Sequence, residues 1–271
     1  MAKNASTIKA SGAQPRVALS LFLLGQALVL AADWPQYRGP ASDGSSPDPI
    51  ATTWATNSPG FVVWTNMSLT NGFSSFAISQ GRAFTLISRL DGGGVRREYC
   101  VAVDAATGTN IWATPIANAP WDPTYNNGAG GAGTAPYDTG DGPRTTPAVK
   151  DGRVIALSGL MQLVCMNFTN GSVLWSNDLP SAYGASTISW ENAASPCLDN
   201  DLVFVNLNSS TNSQNLAAFR MADGSVAWSS QAENLTHTTP VVATIQAVRQ
   251  VIFATRTGLV SLNSTNGAFL W

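Results

Sequence analysis

The chain has 271 residues, with 14 Lys and Arg against 16 Asp and Glu, and is 44% hydrophobic and 11% charged. That composition can build a core and argues against intrinsic disorder, and the acidic balance argues against a nucleic-acid binder with a basic face. The single His (His237) and three scattered Cys (Cys100, Cys165, Cys197), with no Cys-x-x-Cys, argue against most zinc sites and against a disulfide framework.

At the amino terminus, Lys3, Lys9 and Arg16 precede an uncharged stretch from Val17 to Ala32, and no acid appears before Asp33. This predicts a secretory signal over residues 1–32, with small residues at Ala31 and Ala32 for cleavage. The apolar stretch is too short for a comfortable membrane span. Cleavage would move the formal charge from −2 to −5, because the segment holds three cations and no acid. An exported protein could hold one disulfide, which would leave an odd thiol.

Downstream, one pattern recurs. Gly108 stands four residues before Trp112, Gly171 before Trp175, Gly224 before Trp228 and Gly267 before Trp271. A Thr, Asn or Asp precedes each of these glycines, and Gly60 before Trp64 is a weaker fifth copy. Each unit reads as a hairpin, since Asn or Asp before Gly favours the positive φ of a tight turn. Upstream of each full copy lies a second hairpin, as in Thr145-Thr146-Pro147 followed by Asp151-Gly152. Two hairpins per repeat make four strands, which is one blade of a β-propeller.

The predicted fold is therefore all-β, with blades over residues 73–112, 145–175, 194–228 and 238–271, and an orphan outer strand at 61–64. Such a strand completes a blade whose other strands come from elsewhere in the chain. It predicts an incomplete part of a seven- or eight-bladed ring; a closed four-bladed ring is the simpler alternative. The five spaced tryptophans, Trp64, Trp112, Trp175, Trp228 and Trp271, read as structural, because a catalytic residue needs no repetition. Asp104 occupies a repeat position and reads as a turn residue.

The pattern Ala-x-Asp-x-x-Thr-Gly-x-x-x-Trp over residues 102–112 resembles the tryptophan-docking motif of pyrroloquinoline-quinone (PQQ) propellers. The run Asp33-Trp34-Pro35-Gln36-Tyr37-Arg38-Gly39-Pro40 is similar to the opening of secreted bacterial PQQ-like repeat proteins. The stretch Gly140-Asp141-Gly142-Pro143-Arg144 fits the same family, which hosts unlike functions. One branch holds quinoprotein alcohol and glucose dehydrogenases, which use PQQ, calcium and often a vicinal disulfide. The other holds the propeller subunit of the outer-membrane barrel-assembly machine, a non-enzymatic scaffold. No adjacent Cys pair occurs, and the first Cys is Cys100, so the vicinal disulfide and a lipid-acceptor Cys after the signal are both missing. The residues favour a periplasmic or extracellular binding or scaffold module, with a protein or small-molecule partner on its channel face. The alternative is a PQQ- and calcium-dependent oxidoreductase acting on alcohols or sugars.

Residues just ahead of each innermost strand face the channel, so they are the ligand candidates. Arg144 suits a carboxylate, unless it pairs with Asp141 to stiffen its own turn. Trp190, Glu191 and Asn192 combine a stacking surface with oxygen ligands for calcium, or else Trp190 merely packs on its loop. His237 is a candidate base, or a hydrogen-bonded loop residue. The glycine-rich stretch 126–133 lacks a strand-to-helix context and is no phosphate loop.

Overall fold

A computed structural model describes residues 32–48, 63–119, 142–211 and 213–271. The signal-like run up to residue 31, Phe61 and Val62, the 126–133 stretch and Asp141 lie outside the described residues.

The fold is an all-β propeller. Blade 1 comprises β1 (Ala77–Ser79), β2 (Arg82–Leu90), β3 (Arg96–Asp104) and β4 (Asn110–Asn118). Blade 2 comprises β5 (Ala148–Lys150), β6 (Arg153–Leu157), β7 (Gln162–Asn167) and β8 (Val173–Asp178), followed by the one-turn helix α1 (Leu179–Tyr183). Blade 3 comprises β9 (Cys197–Asp199), β10 (Leu202–Asn206), β11 (Leu216–Arg220) and β12 (Val226–Ser230). Each is an antiparallel sheet with its strands in chain order. Blade 4 has three strands, β13 (Val241–Ile245), β14 (Val248–Ala254) and β15 (Leu259–Asn263). Its expected fourth strand is reduced to a bridge between Phe269 and Leu262, with Leu270 and Trp271 hydrogen-bonded to Ser261. Val63 and Trp64, the described half of the expected orphan strand, lie outside any strand.

Alternation on the middle strands explains why they are apolar at nearly every position. In β6, Val154 and Ala156 join Phe84, Leu86, Cys100 and Ala102 in a core shared with blade 1. Their neighbours Ile155 and Leu157 join Val203, Val205 and Phe219 in a core shared with blade 3. A third core couples Phe204 and Ala218 to Val251, Phe253 and Leu262 of blade 4. A sheet buried on both faces needs apolar side chains in both phases of its period-two pattern. The three Cys lie in these cores as free buried thiols, unlike the single bridge that export would permit.

Trp112, Trp175 and Trp228 join successive blades, and Trp64 packs on blade 1 in the same way. The Trp64 indole donates to the Ala105 carbonyl at 3.0 Å, Trp112 to Phe168 at 3.1 Å, Trp175 to Met221 at 2.9 Å and Trp228 to Ser264 at 3.1 Å. In each case the acceptor lies in the β-turn of the following blade. The ring then covers that turn's glycine, Gly108, Gly171, Gly224 or Gly267, where an added Cβ would stand 2.4–2.7 Å from indole carbons. These glycines have φ of +70° to +74°, so both conformation and space require Gly. Trp271 is different: it is 47% exposed, and its indole donates to Gln250 of its own blade.

A second device stands two residues past the Trp. Asn66, Thr114 and Asn177 donate side-chain hydrogen bonds to the carbonyls of Gly108, Gly171 and Gly224. Asp104 is a turn residue, as its repeat position implies. Its Oδ1 accepts from the Thr107 amide and hydroxyl and from the Ala106 amide, and these bonds hold its carboxyl below the usual range.

Trp175→Ala removes an indole that fills the seam between blades 2 and 3. It is expected to cost about 3–5 kcal/mol in chemical denaturation. A loss under about 1 kcal/mol would mean that the seam does not depend on the ring.

Candidate functional site

The residues leading into the innermost strands gather at one end of the blades. The segment from Trp34 to Gln36 crosses the innermost strands of three blades. Trp34 exchanges two backbone hydrogen bonds with Ile78 of β1, the Pro35 carbonyl accepts from Val149 of β5, and Gln36 Oε1 accepts from the Leu198 amide of β9. At its start, Asp33 accepts from Ser79 Oγ and the Gln80 amide. The chain then turns at Arg38 and Gly39, and Gly39 lies flat beneath the Trp34 ring.

This crossing brings Tyr37 and Arg38 to a cavity of about 490 Å³, whose other lining residues include Phe73, Arg144, Thr146 and His237. Among the described residues the lining mixes two guanidiniums, an imidazole, two aromatic rings and several hydroxyls, and contains no carboxylate. Two sequence candidates, Arg144 and His237, therefore meet at one cavity. The segment that contributes Tyr37 and Arg38 was read only as a family signature, since nothing local in it signals a contact with strands over 160 residues away.

Arg144 is held in a defined place. Its Nη1 donates to the Trp190 carbonyl at 2.9 Å, and its guanidinium carbon lies 5.8 Å from the ring centres of both Phe73 and Trp190. Phe73 is fixed in turn by its amide, which donates to the Pro143 carbonyl. A cation between two aromatic faces is attracted to their π-electrons, and the rings limit its rotation.

Trp190, Glu191 and Asn192 do not act together on the channel. Trp190 and Glu191 both have positive φ, 71° and 61°, an uncommon conformation for residues with a Cβ. Successive left-handed residues reverse the chain, so Trp190 is turned outward and 52% exposed while Glu191 is buried. Asn192 is buried as well, its amide donating to the Gly159 carbonyl and its side chain exchanging hydrogen bonds with the Ala194 backbone. The calcium reading of Glu191 and Asn192 is thus at odds with where their side chains lie. Neither lines the cavity.

Glu191 instead meets an acid from another blade. An added Cβ on Gly159, in the β6–β7 loop, would stand 2.5 Å from Glu191 Oε2 and 3.0 Å from Glu98 Oε1. Glu98, on β3, is fully buried, and both its carboxylate oxygens face the Gly159 amide, at 3.0 and 3.3 Å. Burial is the main reason its carboxyl is pushed up to about 8; the Gly159 amide and Arg144 oppose the shift and the nearby Glu191 adds to it. Glu98 was missed in the sequence because a lone acid in a run such as Arg96-Arg97-Glu98 looks like an exposed strand charge.

The cavity's donors suit an anion and do not suit calcium, which needs several oxygen ligands, carboxylates above all. Among the described residues no three His, Cys, Asp or Glu side chains come together. The described residues that line the cavity therefore do not fit a calcium ion. No described helix is long and apolar enough to cross a membrane.

Gly159→Ala places a methyl group between two buried carboxylates and is expected to cost about 1–3 kcal/mol, the usual range for overpacking. Equilibrium unfolding in urea measures it, and an unchanged midpoint would mean that the two acids move apart without cost.

In comparisons with known proteins, no curated protein matches the chain in sequence. Among solved structures it is similar to the quinohemoprotein alcohol dehydrogenase of Comamonas testosteroni, at 13% identity and TM-score 0.56, covering 88% of this chain and 40% of that one. It is also similar to the quinohemoprotein alcohol dehydrogenase ADHIIG of Pseudomonas putida HK5, at 14% identity and TM-score 0.54, covering 88% and 39%. At such identities the likeness is one of fold, and the chain spans about two fifths of either enzyme. The PQQ_2 family model, described as outer membrane protein assembly factor BamB, matches residues 96–271, and the chain belongs to that family.

Proposed function

We propose that this protein is an exported, PQQ-like propeller module that binds a partner at the channel face and does no redox chemistry of its own. The observation that carries the reading is the set of cations and hydroxyls around Arg38, Arg144 and His237, with no carboxylate among the described residues that line the cavity. A dehydrogenase that removes a proton from an alcohol needs a base beside the reacting carbon, and a calcium-assisted quinone needs carboxylate ligands for its metal. Glu98, on which the charge of Arg144 acts, and Glu191 are instead buried around Gly159. What the cavity does offer is fixed cations, exposed aromatic surface and hydroxyls, which are groups for holding a ligand.

The tryptophans serve on this reading as docking residues that stiffen the blades behind the binding face, and the described blades form part of a larger ring. Export rests on the basic and apolar run ahead of Asp33.

Calorimetric titration with PQQ and calcium, followed by a dye-linked assay of alcohol and sugar oxidation, tests the proposal. The expected outcome is no micromolar binding and no turnover. Micromolar PQQ binding that Arg144→Ala abolishes would favour the oxidoreductase reading instead. Export has its own measurement: mass spectrometry of the mature protein is expected to find Ala32 or Asp33 at the amino terminus, and an intact Met1 would contradict cleavage.

A further inference from the structure

Gly159 is the meeting point of three blades. Glu98 reaches it from β3 of blade 1, Gly159 belongs to the β6–β7 loop of blade 2, and Glu191 and Asn192 reach it from the segment leading into blade 3. One oxygen of each carboxyl group, Glu191 Oε2 and Glu98 Oε1, lies within 3.0 Å of the point that a Gly159 Cβ would occupy. Both are buried, Glu98 completely.

Two carboxylates that close, away from water, cannot both carry full charge cheaply; one holds a proton or the pair separates. The charged groups that act on Glu98 are Glu191, which raises the cost of its ionisation, and Arg144, which lowers it. Directly across from it in its own sheet stand two neutral residues, Ser88 on β2 and Ala117 on β4, and Arg96 lies two residues before it on β3. Arg89 and Arg97 alternate to the opposite face, where Arg89 stacks on Tyr99 and Arg97 pairs with Asp91. The Ser88 hydroxyl, directly across from Glu98, is buried and has no hydrogen-bond partner among the described residues. The seam therefore offers Glu98 little to stabilise a negative charge besides the Gly159 amide and Arg144.

We propose that Glu98 keeps its proton beside the Glu191 carboxylate over Gly159, and that this contact is a pH-sensitive latch joining blades 1, 2 and 3 beside the Arg144 cavity. When the proton leaves to solvent, the second negative charge repels Glu191 and attracts Arg144. Glu191 is the residue after Trp190, whose carbonyl holds Arg144, so the change reaches the cavity rim directly. The inference does not depend on what the cavity binds.

The sign of the pH dependence follows from the raised carboxyl. The native state keeps a proton that the unfolded chain releases, so the stabilisation is complete below about pH 4.5 and is lost as pH rises to about 8. Thermal unfolding followed across that range is the test. The wild-type midpoint is expected to fall by several degrees more than that of Glu98→Gln, whose amide imitates the protonated acid. Glu98→Gln is expected to melt above wild type at about pH 8. Glu191→Gln removes the repelling charge, so the fall is expected to end at lower pH. A Glu98→Gln variant that melts lower than wild type at every pH, with an unchanged slope, would overturn the proposal, because the group would then be an ionised acceptor for Gly159. Infrared spectra of the wild type alone give a second readout. A protonated-carboxyl band is expected at about pH 6 and is expected to vanish as pH passes about 8; its absence at the lower pH would equally overturn the latch.

Discussion

The structure depends on one contact made four times: an indole lying flat on a glycine of the next blade. A propeller blade is a sheet with two apolar faces, and its neighbours must come close on both sides. Gly108, Gly171, Gly224 and Gly267 permit the closest approach, because they have no Cβ to hold the ring away. The hydrogen bond from the indole to a turn carbonyl then fixes the lateral register. Burial supplies most of the energy of such a contact, and the hydrogen bond supplies its direction. Once the outer seams are set in this way, the alternating core residues of the middle strands meet in a fixed phase.

Polar links between blades reinforce the same register. Arg82 of blade 1 donates to the Phe168 and Thr169 carbonyls of blade 2 and lies over the Phe168 ring. Arg249 of blade 4 clamps Asp199 of blade 3, with a closest approach of 2.7 Å. A guanidinium suits this work, since its planar fork reaches two acceptors at once. The strand-like crossing of Trp34 to Gln36 does at the channel what the tryptophans do at the rim. It satisfies backbone groups of innermost strands that have a neighbour on only one side.

The blades were legible in the sequence because each repeats the same local solution. A tight turn needs Asn, Asp or Gly, and the contact beyond it needs Trp, so both appear at fixed spacing. The residue two past the Trp carries a weaker form of this signal: Asn66, Thr114 and Asn177 are all polar. The site was legible only in part. Arg144 and His237 are brought together because each stands at the same place ahead of an innermost strand, which the repeat reveals. Glu191 and Asn192 share that placement yet point elsewhere, since two residues of positive φ reverse the chain at Trp190. No repeat pattern encodes that reversal. Glu98 was hidden for a different reason: its environment is made by a loop of the next blade and a segment of the one after.

Positioning and charge are therefore separated at this end of the propeller. The carboxylates sit behind the cavity wall, where they join blades, and the guanidiniums face the cavity itself. Arg144 belongs to both groups. Its field acts on Glu98, while its Nη1 and its flanking rings tie it to the rim. Low dielectric strengthens the pull between Arg144 and the buried acids, whereas the same cation at the cavity mouth is partly screened by solvent. Any anion that draws Arg144 outward must compete with Glu98 and Glu191, and the strength of that competition depends on whether Glu98 keeps its proton. On the proposed reading, ligand affinity at the rim and the protonation of Glu98 are thus coupled through one guanidinium.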